Sequence, residues 1–485
     1  MCTPYENRVD GEIKRITSAS LLIANLEKHR LSAAHRIASV ESVSVIAKNL
    51  RRSSIYALRL VSREHIFGLA DQAIVSAAGF LTTLLIARWS DSTQLGVYAL
   101  GLSVLLSLLA FQDSFILQPY MIQRYNLEGT PAERAGASLT LSILFSAGSI
   151  LALTVAALGF LALGGGPEIV VMTWAIAAIV PFALTRDFAR RFAFAHFKTA
   201  QVLFLDLTAA IIQLSALGWL GASGRMSATS ACAALGAACA LPTAISLYYT
   251  RAEFTIRLPH VRVTLKQTWA LGKWLLVGRI TDQAKGYTTY WLAAAVGGAA
   301  VTGVFSACMS IVGFANPLMI GLFNIIMPKY VLAWKHGGGP RLWHETIRST
   351  ALIAALMTAF SLAVLLVGED VMRFLYHGKD FEGHGQTLTV LALAISFGSL
   401  GTPAQIALAT MERSRALMLN TAVQAVVTMV LVWILMMEWG LLGAAYGMLA
   451  GALIGCVGCW IPFYALVPKV GDPAPALRVL QEFEK

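Results

Sequence analysis

Apolar stretches of roughly twenty residues, separated by short polar segments, follow one another along nearly the whole chain after residue 65, and about that many residues in an α-helix cross the hydrocarbon core of a bilayer. No stretch alternates with period two, so the blocks predict helices and not the strands of a transmembrane barrel. The expected fold class is all-α, a polytopic membrane protein of about 12 transmembrane helices.

The blocks place helices at about 67–87, 95–118, 136–163, 168–185, 199–221 and 228–249, then at 268–296, 301–328, 347–367, 386–411, 416–437 and 441–467. The chain thus divides into a basic N-terminal segment (1–65), a first six-helix half (66–250), a cytoplasmic linker (251–267), a second half (268–467) and a tail (468–485). In the N-terminal segment Leu22, Leu26, Ala33 and Ile37 recur at helical spacing. It reads either as an amphipathic helix on the inner leaflet or as a disordered tail.

Composition agrees with the pattern: 57% of the 485 residues are hydrophobic and 13% charged. The formal net charge of +11 is not a nucleic-acid signature, because the basic residues sit in short loops where membrane topology accounts for them. Their distribution also tests the helix count, since one missed or invented helix inverts every later loop. With the N-terminus inside, the inner connections carry Arg124 and Arg134, then Arg186, Arg190, Arg191 and Lys198, then Arg251, Arg257, Arg262 and Lys266. Lys329, Lys335, Arg341 and Arg348 follow, then Arg413 and Arg415. The outer connections carry only Arg88, Arg225, Arg373 and Lys379. Both termini are expected in the cytoplasm.

A weak repeat relates the halves. Asp71-Gln72-Ala73 recurs as Asp282-Gln283-Ala284, and Leu95-Gly96-Val97-Tyr98-Ala99 as Thr302-Gly303-Val304-Phe305-Ser306, at offsets of 211 and 207. Ala193-x-Ala195 and Leu203 to Asp206 face Ala407-x-Ala409 and Leu417 to Asn420, at an offset of 214. Because six helices are repeated, both halves insert the same way and their symmetry axis lies along the membrane normal. Gly443, Gly447, Gly451 and Gly455 make a stripe that lets a neighbouring helix approach closely. Pro181, Pro242, Pro317, Pro403 and Pro462 fall within helices, as kinks or as hinges for rocking. Cys456-x-x-Cys459 lies in an apolar block without further ligands, so it reads as packing and no metal or other cofactor is expected.

With loops and helix ends so assigned, the Lys and Arg left at membrane depth are Lys273, Arg279 and Lys285, all on the seventh helix beside Asp282. Charge at that depth is costly and faces a bundle interior or a water-filled path. Arg279, Asp282 and Lys285 share a sector of roughly 120°, with Lys273 beyond them toward the cytoplasm and off that face. Two readings stand: an ion-pair network that holds the bundle together, or an unneutralised cation suited to phosphate oxygens, since three cations face one acid. Asp71 on the first helix is a second acidic partner for this cluster. Asp113 and Asp206 sit nearer inner helix ends, where interfacial hydration accounts for them. Tyr287, Tyr290 and Trp291 read as an outer-interface belt or as a stacking wall for sugars.

The duplicated six-helix plan, the polar Asp71-Gln72 start, and Ile86-Ala87-Arg88 before Leu95-Gly96-Val97-Tyr98-Ala99 resemble, over about residues 65–467, one branch of the multidrug/oligosaccharidyl-lipid/polysaccharide exporter superfamily. That branch is the Wzx-type O-antigen flippases. The resemblance implies a transporter, not an enzyme, of the bacterial inner membrane. Its cargo would be undecaprenyl-diphosphate-linked oligosaccharide, moved to the periplasmic leaflet for surface polysaccharide or exopolysaccharide. Two V-shaped lobes would enclose a cationic cavity with alternating access. By position, Arg279 and Lys285 would contact the diphosphate, Lys273 would stand at the cytoplasmic mouth and Arg88 at the periplasmic exit. Asp71 and Asp282 would balance charge or carry a coupling proton or sodium ion. The implied partners are the lipid-linked oligosaccharide, membrane lipids and other polysaccharide-assembly proteins. The alternative is a cation-coupled multidrug exporter of the same superfamily, whose site would favour intramembrane acids. A membrane polymerase or glycosyltransferase would need a large catalytic outer loop, and the longest here, 368–385 with Asp370, Asp380 and His384, is short.

Overall fold

Helix is the only regular structure among the residues that the computed structural model describes, which are 67, 68, 70–123, 130–376 and 379–467. The N-terminal segment expected at 1–65, with its amphipathic-helix reading, and the tail at 468–485 lie outside them. α1 is Ala70–Trp89. α2, Ser92–Gln112, runs through a π-helical turn at Asp113–Leu117 into Gln118–Gln123. α3 (Pro131–Ala162), α4 (Pro167–Ala195), α5 (Thr199–Ala222) and α6 (Ala228–Thr250) complete the first half. Side chains cap these starts: Asp91 accepts from Gln94 N at 2.7 Å, and Thr130 and Glu133 form a reciprocal capping box.

In the second half three long helical runs double back almost without a loop. Leu258–Val312 breaks at Gly298 (φ 78°), Ala315–Leu375 at Gly338 (φ 58°), and Ser414–Leu466 at Trp439 and Gly440 (φ 57° for the glycine). Glycine takes positive φ without steric cost, so a single residue makes the turn. Tyr290 meets Phe305 across the first turn, the Tyr330 and Ser349 hydroxyls meet across the second, and Gly443 abuts Leu435 across the third. The runs therefore supply α7 (258–297), α8 (299–337, with a turn at Gly313 and Phe314), α9 (339–375), α11 (414–438) and α12 (441–466) around α10 (Gly385–Thr410). The described residues thus hold the twelve helices that the hydrophobic pattern predicts.

Lipid tails are as apolar as leucine, so helix association inside a membrane rests on close packing and polar contacts. The glycine stripe of α12 packs on α11: a Cβ at Gly443, Gly447, Gly451 or Gly455 would come within 1.9 to 2.6 Å of Leu435, Val432, Thr428 or Gln424. The halves touch through glycines too. A Cβ on Gly96 of α2 would lie 1.7 Å from Ala299 O, and one on Gly303 of α8 would lie 1.9 Å from Ser92 O. Leu144, Leu151, Val155, Leu158 and Leu161 on α3 are exposed, a face suited to lipid. The connector between the halves is fastened to the first half. Thr255 N donates to Ala132 O at 2.9 Å, Lys198 pairs with Glu253 at 2.7 Å, and Arg257 pairs with Glu133 at 2.8 Å.

Candidate functional site

α7 does not hold the deep basic residues alone. The sequence pattern ends the fourth helix near residue 185, but the helix continues to Ala195 and carries Arg186, Arg190 and Arg191 with it. Apolar residues at helical spacing drive the extension. Phe188, Phe192 and Ala195 are buried against Ile116, Leu117 and Tyr120 of α2. Arg186, Asp187, Arg190 and Arg191 occupy the opposite side of α4 and face the bundle.

Carboxylates from three other helices meet these arginines. Arg190 bridges two acids, its Nε donating to Asp206 Oδ2 and its Nη2 to Asp71 Oδ2, each at 2.6 Å. Arg186 Nη2 donates to Asp206 Oδ1 at 2.7 Å. The π-helical turn of α2 presents Asp113, which lies 3.1 Å from Arg191 Nε and 3.4 Å from Arg279 Nη2 of α7. Arg279 Nε donates to Ser114 Oγ at 3.2 Å, and Gln118 Nε2 to Asp113 Oδ2 at 2.9 Å. Asp71, Asp113 and Asp206 are only 3%, 3% and 1% exposed, so Asp113 and Asp206 are ion-pair partners and not the hydrated interfacial acids that their sequence positions suggest. Asp71 pairs with α4, not with α7.

The four arginines, together with Asp113, Asp187 and Asp206, line one cavity of about 390 Å³. Its other walls are apolar, from Val75, Leu102, Leu106, Leu109 and Leu235. With Asp71 added, four acids stand against four guanidinium groups, and the formal sum is zero. The network is nevertheless incomplete. Arg191 Nε and Asp113 Oδ1 are close but not aligned for a hydrogen bond, and Arg186 Nε and Asp71 Oδ1 also lack a partner although buried. Such atoms are costly in a dry interior, so the cavity floor is built to receive water or a polar ligand.

The other expected site residues fall elsewhere. Lys285 projects toward α11, where its Nζ donates to Gln424 Oε1 at 2.7 Å, and it makes no ion pair among the described residues. Arg279 and Lys285, at opposite edges of their shared sector, therefore address different halves of the bundle. Asp282 and Lys273 are exposed, as is Arg88 at the end of α1. Trp291 is no simple interfacial belt residue, since its Nε1 donates to Ser103 of α2 at 2.8 Å. The α4 arginines were legible in one respect: Arg186, Asp187, Arg190 and Arg191 keep helical spacing. The apolar positions that alternate with them do so too.

No family model matches the sequence, and no curated protein matches it by sequence. Solved structures do match its fold. An inward-facing multidrug resistance MATE family transporter of the MOP superfamily aligns with TM-score 0.62 at 12% identity, over 83% of this chain and 94% of the other. A MOP superfamily transporter from Pyrococcus furiosus, described as having a binding pocket of reversed polarity, gives 0.61 at 12% over 84% and 95%. The lipid II flippase MurJ, in an inward closed conformation, gives 0.66 at 13% over 82% and 87%. The chain shares the fold of these solved structures.

Proposed function

We propose that the chain is a flippase that carries an undecaprenyl-diphosphate-linked oligosaccharide across the bacterial inner membrane for surface polysaccharide assembly. The observation that carries this reading is the set of four arginines around one cavity, with Arg186 Nε and Arg191 Nε buried and making no hydrogen bond. Diphosphate oxygens suit planar guanidinium groups, which bind them in bidentate fashion. The likeness to a lipid II flippase supports a lipid-linked cargo.

While the cavity is empty of cargo, the aspartates hold the arginine heads in place. When a diphosphate takes over an arginine, the displaced carboxylate is left charged in a poorly hydrated site and favours a proton or a sodium ion. That exchange ties cargo binding to cation binding. Lys285, whose partner is a neutral amide, is a further anion contact on the side of the second half.

Cation-coupled drug export is the second reading, favoured by the four buried or cavity-lining carboxylates and by the MATE likeness. Mass spectrometry of lipid-linked sugars in a deletion strain separates the two. Accumulation of a diphosphate-linked repeat unit is expected. An unchanged lipid-linked pool together with new drug sensitivity would overturn the flippase assignment.

A further inference from the structure

A second cavity, of about 330 Å³, opens between α8 and α9 away from the arginine cluster. Its lining is graded along the helices. Lys329, Glu345 and Arg348 stand toward the Gly338 turn, and Leu322, Ile325 and Leu352 line the part farther from it. At a rise of 1.5 Å per residue, Leu322 lies roughly 10 Å along α8 from Lys329, and Leu352 about 6 Å along α9 from Arg348. The cations are therefore at the end of the slot nearest the basic connections, and its apolar part runs into the bundle's membrane-crossing length.

Lys329 and Arg348 are both exposed, and neither makes an ion pair among the described residues. Glu345 is half-buried, so the mouth carries one surplus positive charge. Two unpaired cations above an apolar slot match a lipid in both charge and shape, with phosphate at headgroup level and a chain below. We propose that this cleft holds one anionic phospholipid as a resident lipid, its phosphate between Lys329 and Arg348 and one acyl chain along Leu322, Ile325 and Leu352. The occupant is a bilayer lipid and not the transported cargo, because the cleft lies apart from the cavity that gathers the arginines.

Native mass spectrometry of the full chain in detergent tests this, with phosphatidylglycerol and phosphatidylcholine of identical acyl chains as probes. Phosphatidylglycerol is expected to stay bound where phosphatidylcholine is lost. A Lys329→Ala/Arg348→Ala variant should lose at least about tenfold in retention, since each interfacial cation is worth about fivefold. Leu322→Trp, which fills the slot and keeps both charges, should lose as much. Arg341→Ala, an exposed cation on α9 outside the cleft, should change nothing. Equal retention of the two lipids, or an Arg341→Ala loss equal to that of the double variant, would overturn the site. So would displacement of phosphatidylglycerol by inorganic phosphate, or by undecaprenyl phosphate at lower concentration, which would assign the cleft to free anion or to cargo. Sugar transport is not measured, so the result is independent of the flippase reading.

Discussion

Gly96 and Gly303 meet through bare backbone, and the contact is reciprocal. A Cβ on the first would lie 1.7 Å from Ala299 O and 2.9 Å from Gly303 N, and one on the second 1.9 Å from Ser92 O and 3.0 Å from Gly96 N. Each partner maps onto the other by the 207-residue offset of the sequence repeat. Gly96→Ala and Gly303→Ala should each lower stability by about 1 to 3 kcal/mol through overpacking. Once one methyl has separated the helices, the second costs less, so the double variant should destabilise by less than the sum. Thermal melting of the purified protein followed by tryptophan fluorescence reads this; full additivity would mean that the two glycines do not share one contact.

Asp206 accepts from both Arg186 and Arg190 while almost fully buried. Asp206→Asn leaves two guanidinium groups short of charge compensation and should cost about 3 kcal/mol or more. The expected outcome is a fall in monodisperse protein on size-exclusion chromatography. Arg190→Lys should also fall short, because one ammonium does not reproduce the fork that reaches Asp71 and Asp206 together.

Asp187 and Asp282 make no ion pair among the described residues, unlike Asp71, Asp113 and Asp206. Neutralising either should spare folding. If the coupling ion binds at one of these free carboxylates, Asp187→Asn or Asp282→Asn changes the pH or sodium dependence of transport in proteoliposomes. An unchanged ion response in both variants removes them from that role.

Arg279→Ala and Lys285→Ala should each abolish surface polysaccharide while membrane levels stay normal. Normal polysaccharide in both, and in the double variant, would sink the anion-contact assignment. Because Arg279 also joins the halves through Asp113 and Ser114, its variant should melt earlier than that of Lys285, whose bond to Gln424 is to a neutral amide.

The number of helices, the repeat and the glycine stripe were legible because each is written in spacing: apolar length, equal offsets, small residues every fourth position. The charge network was not. Arg186, Arg190 and Arg191 lie close together near the end of an apolar block, which is also how an inner loop reads under topology rules. Only Phe188 and Phe192 alternating with them shows that the helix goes on. The partners Asp71, Asp113 and Asp206 come from three other helices, and no local pattern brings those together. The π-helical turn that presents Asp113 adds a shift of one residue that ideal helical geometry does not foresee.

The fastening of residues 251–257 to α3 and to Lys198 has a mechanical corollary. The tether joining the two halves has no slack of its own, so it travels with the first half as though part of it. Were the halves to move against each other, the movement would pass through α7, which starts at the end of that tether, lies along α2 and reaches Gly298. Any tilt of that helix would be felt at its far end, beside the bare-backbone contact of Gly96 with Gly303.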